Sequence, residues 1–353
     1  MSKIYNIYGD DAFTMTLELL KASKAISLVP KDNKTVALKP NLVVAGRPEN
    51  GATTHAEILS ACIEYFRANG IQDISIIEGS WVGEDTTRAM KRAGYDLVCE
   101  KYKVPFYDLK RDKVKSVRTH IGNISICERA LNAGLLVNLP VLKGHCQTVM
   151  TCALKNLKGC LPDNEKRRFH SLGLTKPIAA LGAVMSPRLN IVDSICGDLS
   201  FEEGGNPIFT NRMFLGFDPV QVDAYGCNLM GLDLEDVPYI KLAQVYGAGN
   251  IEIKNGDVIN LNAPENSNSY PRPSGTVKNL TRFVSEDSAC SACYASLVRA
   301  LHVNSDGRNL KICIGQGWRG KEFDGLGIGN CCKNAKRNVP GCPPTAAEIA
   351  QAF

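Results

Sequence analysis

Six of the chain's 14 cysteines crowd into its last 64 residues, at positions 290, 293, 313, 331, 332 and 342. Four thiolates from such a set can hold an iron–sulfur cube or a structural zinc, and either would dictate how this end of the chain folds. Cys290 and Cys293 form a Cys-x-x-Cys pair. Cys342 lies in Val339-Pro340-Gly341-Cys342-Pro343-Pro344. A proline after a ligand pins the backbone and removes a competing N–H, which favours iron–sulfur over zinc. The expected ligands of one [4Fe–4S] cluster are Cys290, Cys293, Cys331 and Cys342. Cys331 and Cys332 are adjacent, so spacing alone does not separate them; Gly329 gives Cys331 the more flexible approach. Cys313, within Lys311-Ile312-Cys313-Ile314, reads as structural.

Cys62, Cys99, Cys127, Cys196 and Cys227 sit in apolar runs and read as small buried hydrophobes. Met1-Ser2-Lys3-Ile4-Tyr5 lacks the charged and apolar regions of a secretory signal. Disulfides are therefore not expected, and a reducing compartment is: the cytoplasm, in an anaerobe. No apolar run approaches the roughly 18 residues a membrane helix needs.

Strand-like and helix-like segments alternate over the first 230 or so residues. Thr35–Leu38, Ile74–Ile77, Leu135–Leu139, Leu189–Val192 and Met213–Phe217 are short apolar strands. Helices are expected over Thr54–Asn69, Thr86–Ala93, Val220–Met230 and Val237–Tyr246. The pattern predicts an α/β fold, a mostly parallel sheet with helices on both faces. Asn250–Arg272 is rich in Asn, Gly, Pro and Ser and reads as an exposed connection. It divides the chain into an anion- or substrate-binding domain, 1–260, and a small α/β cluster-binding domain, 261–353. The latter should contain a helix over Cys293–His302, a strand over Leu310–Ile314, Gly-rich turns at 315–317 and 325–329, and a final helix over Thr345–Ala352.

Charge is unevenly spread. The net +5 is modest, but Lys143 to Arg188 carries eight Lys or Arg against two acids, an excess of six. Cys290 to the C-terminus has an excess of four, which lowers the cost of holding an anionic cube. The first segment suggests a small anionic partner. Nucleic acid is not expected, because the bases lack interleaved aromatics and no known binding signature appears.

In an open parallel sheet, ligands bind at the carboxyl ends of the strands. Lys39 and Asn41 follow the first strand, Glu78 the second and Asp193 a later one. Lys143 and His145 follow Leu135–Leu139. The segment 148–159 looks like a helix start, with Lys155 and Lys158 three apart and Asn156 between them. Lysines hold carboxylate or phosphate as point charges. His145 could exchange a substrate proton near neutral pH, and His55 is a second candidate. Glu78, Asp193 or Asp223 could orient the base or ligate a divalent cation. The expected catalytic set is therefore His145, Lys143, Glu78 and His55. The expected anion site is Lys39, Asn41, Lys155, Asn156, Lys158, Asp193 and Asp223. No nucleotide-binding loop or nucleophile elbow occurs.

Val36-Ala37-Leu38-Lys39-Pro40-Asn41, Thr53-Thr54-His55, Glu78-Gly79-Ser80 and Asn138-Leu139-Pro140-Val141-Leu142-Lys143-Gly144-His145 together resemble the domain of unknown function 362 family. So do Ala153-Leu154-Lys155-Asn156-Leu157-Lys158-Gly159 and Asp218-Pro219-Val220-Gln221-Val222-Asp223-Ala224. The resemblance implies a fold and no settled reaction; many members carry ferredoxin-type cysteine motifs. This chain lacks consecutive Cys-x-x-Cys-x-x-Cys runs, which implies a single cluster. Lys143-Gly144-His145 is also similar to the lactate racemase amino-terminal domain. Val339–Pro344 is similar to the cluster-ligand segment of hydrogenase small subunits and of the related complex I subunit. Three functions follow as expectations: an iron–sulfur redox enzyme on a small anionic substrate, an isomerase or lyase resembling lactate racemase, or an electron-transfer module for a redox partner protein. The distance between the cluster cysteines and Lys143–His145 discriminates among them.

Overall fold

A computed structural model describes residues 3–263 and 276–353. Strands β1 (Ile4–Tyr8), β2 (Val36–Pro40), β3 (Ile74–Glu78) and β4 (Phe106–Asp108) come first. A hairpin, β5 (Val114–Thr119) and β6 (Gly122–Cys127), precedes β7 (Leu135–Leu139). A second small hairpin, β8 (Lys143–His145) and β9 (Val149–Thr151), precedes the long β10 (Leu189–Asp198) and β11 (Pro207–Gly216), then β12 (Val258–Asn260). The main sheet has the order β12-β1-β11-β10-β7-β2-β3-β4. Its pairings are parallel except for β1 with β11 and β10 with β11. The fold is thus α/β with a mostly parallel sheet, as expected.

Alternation along β2 shows how the sheet divides two cores. Val36 and Leu38 face one way, with Leu19 and Leu20 from helix Ala12–Ala22. Helix Ala56–Ala68 adds Ile58, Leu59, Cys62, Ile63 and Phe66 to the same core, the stripe its sequence predicts. Each such side chain contributes roughly 1.5–3 kcal/mol by leaving water. Ala37 and Ile77 face the other way, against residues of helices Thr175–Met185, Pro219–Leu229 and Pro238–Val245. Pro219 opens its helix at N1 and Asp218 accepts from Val220 N and Gln221 N, the cap expected of Asp-Pro.

The C-terminal segment builds a second, all-parallel sheet from β13 (Val284–Glu286), β14 (Ile312–Ile314), β15 (Phe323–Ile328) and β16 (Ala335–Val339). Helix Ser291–Val303 follows β13, and helix Ala346–Gln351 ends the chain with a Thr345–Glu348 capping box. These pack a third core of Leu297, Val298, Leu301, Ile312, Leu326 and Ile328. Phe201 of the large domain inserts into it.

Four expectations need correction. Residues 325–329 are mostly the strand β15, not a turn. Their glycines serve close packing, since a Cβ on Gly325 would lie 2.4 Å from Lys311 O and one on Gly327 2.5 Å from Cys332 O. Residues 148–159 do not form one helix start. They divide into β9, a short helix Ala153–Asn156 and a tight turn Leu157–Cys160. The strand expected at Met213–Phe217 begins at Pro207 and runs antiparallel. Within the expected connection Asn250–Arg272, Val258–Asn260 pairs with β1 as a sheet edge, while 264–275 lie outside the described residues.

Candidate functional site

The carboxyl ends of β2 and β3 bring Lys39 and Glu78 together. Both are buried, and the ammonium contacts the carboxylate directly. Gly159 makes room for this pair, because a Cβ there would fall 1.9 Å from Glu78 Oε1 and 2.7 Å from Lys39 Nζ. Burial pushes the Glu78 carboxyl up, while Lys39 and Lys166 pull the other way.

Glu78 forms one wall of a cleft of about 90 Å³. Asn41, Lys143, Lys155, Asn156 and Lys158 also line it, so six of the residues named from sequence share one site. Lys39 stands just behind Glu78. The other expected residues lie elsewhere. His55 and Asp193 bind each other, with Asp193 Oδ2 accepting from His55 N (2.9 Å) and contacting Nδ1 (2.7 Å). Asp223 Oδ1 accepts from Ala153 N at 2.6 Å, holding the start of the 153–156 helix. Neither carboxylate is among the cleft's lining residues: the strand expected to stop at Val192 runs on to Asp198, so Asp193 lies within β10, and Asp223 lies within helix Pro219–Leu229, each accepting from backbone N–H groups. His145 does not line the cleft either. Its Nδ1 accepts from Gln147 N (3.0 Å) and Thr148 N (3.2 Å), and its Nε2 contacts the Glu202 carboxylate.

Four lining residues are not apparent from the sequence: Glu202, Lys166, His170 and Ser291. Lys166 and His170 are four apart on helix Asp163–Ser171 and share its buried face with Phe169, a spacing that could have marked them. Glu202 lies in an irregular loop after β10 and carries no local signal. Its loop is fixed by Asp198, which accepts from Ser200 N, Phe201 N and Asn206 N, and by the insertion of Phe201 into the C-terminal core.

The cleft is strongly cationic. Burial pushes Lys143 and Lys158 down to about 7 and Lys166 down to about 8, and lowers Lys155; Lys155 also repels Lys143 and Lys158. Burial works against the charge on Glu202, but the His145 contact and the Lys155 and Lys158 amines outweigh it and hold its carboxyl below the usual range. Burial keeps the His145 ring neutral.

His145, Cys146 and Glu202 place donor atoms within 4.8 Å of one another, compact enough for a metal ion. The donor set fits in size but not in protonation. With two backbone N–H groups aimed at Nδ1, the neutral ring carries its proton on Nε2, the atom that would bind metal. The lysines add repulsion to any cation.

The four cysteines expected as cluster ligands surround one small cavity, together with Arg167 and Arg319. Their placement follows the strand-end rule a second time. Cys290 is the N-cap residue and Cys293 the first-turn residue of helix Ser291–Val303; the helix dipole there opposes the burial that pushes the Cys290 thiol up to about 11 and raises Cys293 with it. Cys331 follows β15 and Cys342 follows β16. Asn330 ties these two loops, donating from its N to Gly341 O (2.9 Å) and accepting at Oδ1 from Gly341 N (2.8 Å). Arg319 Nε donates to Cys331 Sγ at 3.5 Å. Cys332 points inward instead, buried beside Cys313. All 14 cysteines are free thiols. Among the described residues, no three of the cavity's sulfurs lie within 4.8 Å of one another.

Cys290 lines both the cysteine cavity and the lysine cleft, and Ser291 and Ala292 complete the cleft wall. The loop at Gly83 packs against Cys342-Pro343, where a Cβ would lie 2.2 Å from Pro343 Cδ.

Known proteins resemble this chain in part. A thylakoid-associated protein of Synechocystis sp., sll1697, is 23% identical over 211 residues, which cover 58% of this chain and 64% of that protein. The lactate racemase apoprotein of Thermoanaerobacterium thermosaccharolyticum superposes with a TM-score of 0.46 at 13% identity, over 64% of this chain and 56% of that one. Among the described residues, no helix is long and apolar enough to cross a membrane. Residues 36–228 contain the strand ends and cleft lysines just described, and over that span, more than half its length, the chain belongs to the family described as domain of unknown function (DUF362).

Proposed function

We propose that this chain is an iron–sulfur redox enzyme acting on a small anionic molecule. The observation that carries the reading is the double position of Cys290, in the wall of the lysine cleft and in the ring of four cysteines. Cys290, Cys293, Cys331 and Cys342 would hold one [4Fe–4S] cluster, which supplies one-electron transfer when bound. Lys143, Lys155 and Lys158 hold the anion beside it. Cys342 is exposed, and Arg167 and Arg319 flank the ring. That side suits electron entry from a redox partner protein, with Cys290 facing the substrate. The free thiols suit a reducing cytoplasm. A lactate racemase-like isomerase with His145 as the exchanging base is less well supported, because His145 lies behind Glu202 and is buried.

Protein purified without oxygen should be brown and contain about four iron and four sulfide per chain, with a reduced-state electron paramagnetic resonance signal after dithionite. Stoichiometric zinc without iron would sink the reading.

Anion binding has a definite pH dependence. Lys143, Lys158 and Lys166 titrate lower in the folded chain than the usual 10.5. Between about 7 and 10 the unfolded chain therefore binds more protons than the folded one, so stability of the anion-free protein should rise with pH across that window. An anion favours the protonated amines, so sulfate should bind more tightly at pH 6 than at pH 9. Calorimetric titrations at both values check this; equal affinity would show that these amines do not meet the anion.

A further inference from the structure

The cleft lysines are not equivalent. Lys39 contacts Glu78 and donates to Pro40 O at 3.1 Å. Lys143 Nζ donates to Ala52 O (2.6 Å) and Glu202 O (2.9 Å). Lys166 Nζ donates to Gly79 O (2.9 Å) and Ser80 O (2.8 Å). Lys155 Nζ lies 3.9 Å from the Glu202 carboxylate. Each of these has an oxygen that stabilises the ammonium form. Lys158 differs. Its Nζ faces His170 Nε2 at 3.1 Å, and among the described residues it has no carbonyl or carboxylate partner. An imidazole in that position is a base that can take the proton an amine must lose before it attacks.

Burial, and after it the charge of Lys158, pushes the His170 ring well below the usual imidazole range, so it meets Lys158 as a neutral acceptor. Its Nε2 also accepts from Ser291 N (3.4 Å) and lies 3.3 Å from Ser291 Oγ. It lines the lysine cleft on one side and a second polar cavity, with Thr148, Glu286 and Ser288, on the other. The imidazole therefore has one cavity in which to serve Lys158 and another through which to exchange protons with solvent.

We propose that Lys158 is an imine-forming lysine, whose amine condenses with the carbonyl carbon of a small α-keto acid while Lys155 holds the carboxylate. The inference rests on the reading of the cleft as an anion site and does not depend on the cluster's redox role. The steps balance without an oxidant or reductant. His170 takes one proton from the Lys158 ammonium, and the free amine attacks the carbonyl carbon. The C–N bond forms as the C=O π pair moves to oxygen, which receives a proton from the nitrogen. His170 returns its proton to that hydroxyl, which leaves as water, and a protonated imine remains on Lys158. The low titration range of Lys158 supports a free amine near neutral pH. The cavity of about 90 Å³ suits a molecule of pyruvate size rather than a nucleotide.

The test is reductive trapping. Full-length protein purified anaerobically with its metal is incubated with pyruvate and cyanoborohydride, then measured by intact mass and peptide mapping. The expected result is one reduced pyruvate adduct per chain, on Lys158, absent from Lys158→Arg. Lys155→Gln should slow labelling about tenfold, the loss of one charge-assisted contact. His170→Gln should slow it and move its pH dependence upward, which a purely structural role would not do. Sulfate binding is measured on the same preparation. If sulfate binds and labelling is absent, or spreads over exposed lysines equally in Lys158→Arg, the imine inference is wrong and the anion site stands. If neither sulfate nor pyruvate is held, both fall.

Discussion

With the proposed cluster held on four cysteines, replacing Cys342 by serine should leave the protein without iron and unfasten everything after about residue 285. The C-terminal sheet has a small core, and its strand-end loops converge on the cysteine ring, joined otherwise by a few hydrogen bonds such as Gln316 N to Ser288 O. A metal centre that joins such loops contributes its binding energy to folding. Its removal belongs among the largest single-site effects, above about 4 kcal/mol for this segment. Limited proteolysis should then cut the C-terminal region first and leave the large domain intact, since that domain has two cores of its own. Cys332→Ser is the informative partner. Cys332 is buried beside Cys313, with its sulfur 4.0 Å from Gly315 O, and turns away from the ring. That variant should keep its iron and lose only packing. Iron retained in Cys342→Ser and lost in Cys332→Ser would reverse the assignment of ligands.

The contrast between these adjacent cysteines shows what a sequence can and cannot convey. The Cys-x-x-Cys spacing and the Cys-Pro junction already named three of the ring's members. Nothing in Cys331-Cys332 itself says which faces out; that is decided by the tight turn after β15, entered through Gly329 at a φ of +84°. The same division holds in the cleft. Lys39, Glu78 and Lys143 were legible because apolar strands end abruptly in charge, and parallel strands share an edge. Asp193 follows an equally apolar run, but the strand continues past it to Asp198, and Asp223 lies within a helix; both carboxylates accept from backbone N–H groups where distant helices begin, at His55 and Ala153. Glu202 was illegible for a different reason. It enters the site because Asp198 pins its loop and Phe201, beside it, inserts into the other domain's core. The four-stranded C-terminal sheet was legible only at β14, because β13, β15 and β16 are short, polar or glycine-rich and gain their strand character from pairing.

Lys39→Met should destabilise the large domain by about 3–5 kcal/mol, the usual cost of leaving a buried charge without its partner. The ammonium it removes is fully buried, and Glu78 is 2% exposed, open on its cleft side and packed against the turn at Gly159 on the other. The pH dependence of the loss has a sign. Burial already raises the Glu78 carboxyl, and removing the amine raises it further. A carboxyl raised in the folded state is unpenalised below its unfolded range near 4.5 and costs stability as pH climbs toward the folded value. The variant should therefore lose less at pH 5 than at pH 8, where Glu78 must be buried charged or take up a proton. Joining Lys39→Met to Glu78→Leu should recover much of the loss, because two apolar side chains of similar volume need no partner. Gly159→Ala gives an independent approach to the same pair. Its added methyl would overlap Glu78 Oε1, so either the turn or the carboxylate must shift. Urea denaturation at both pH values measures all four proteins. A Lys39→Met chain within about 1 kcal/mol of the parent at pH 8 would mean that Glu78 reaches another cation, with Lys166 the nearest available, and that the wall of the cleft is softer than its burial implies.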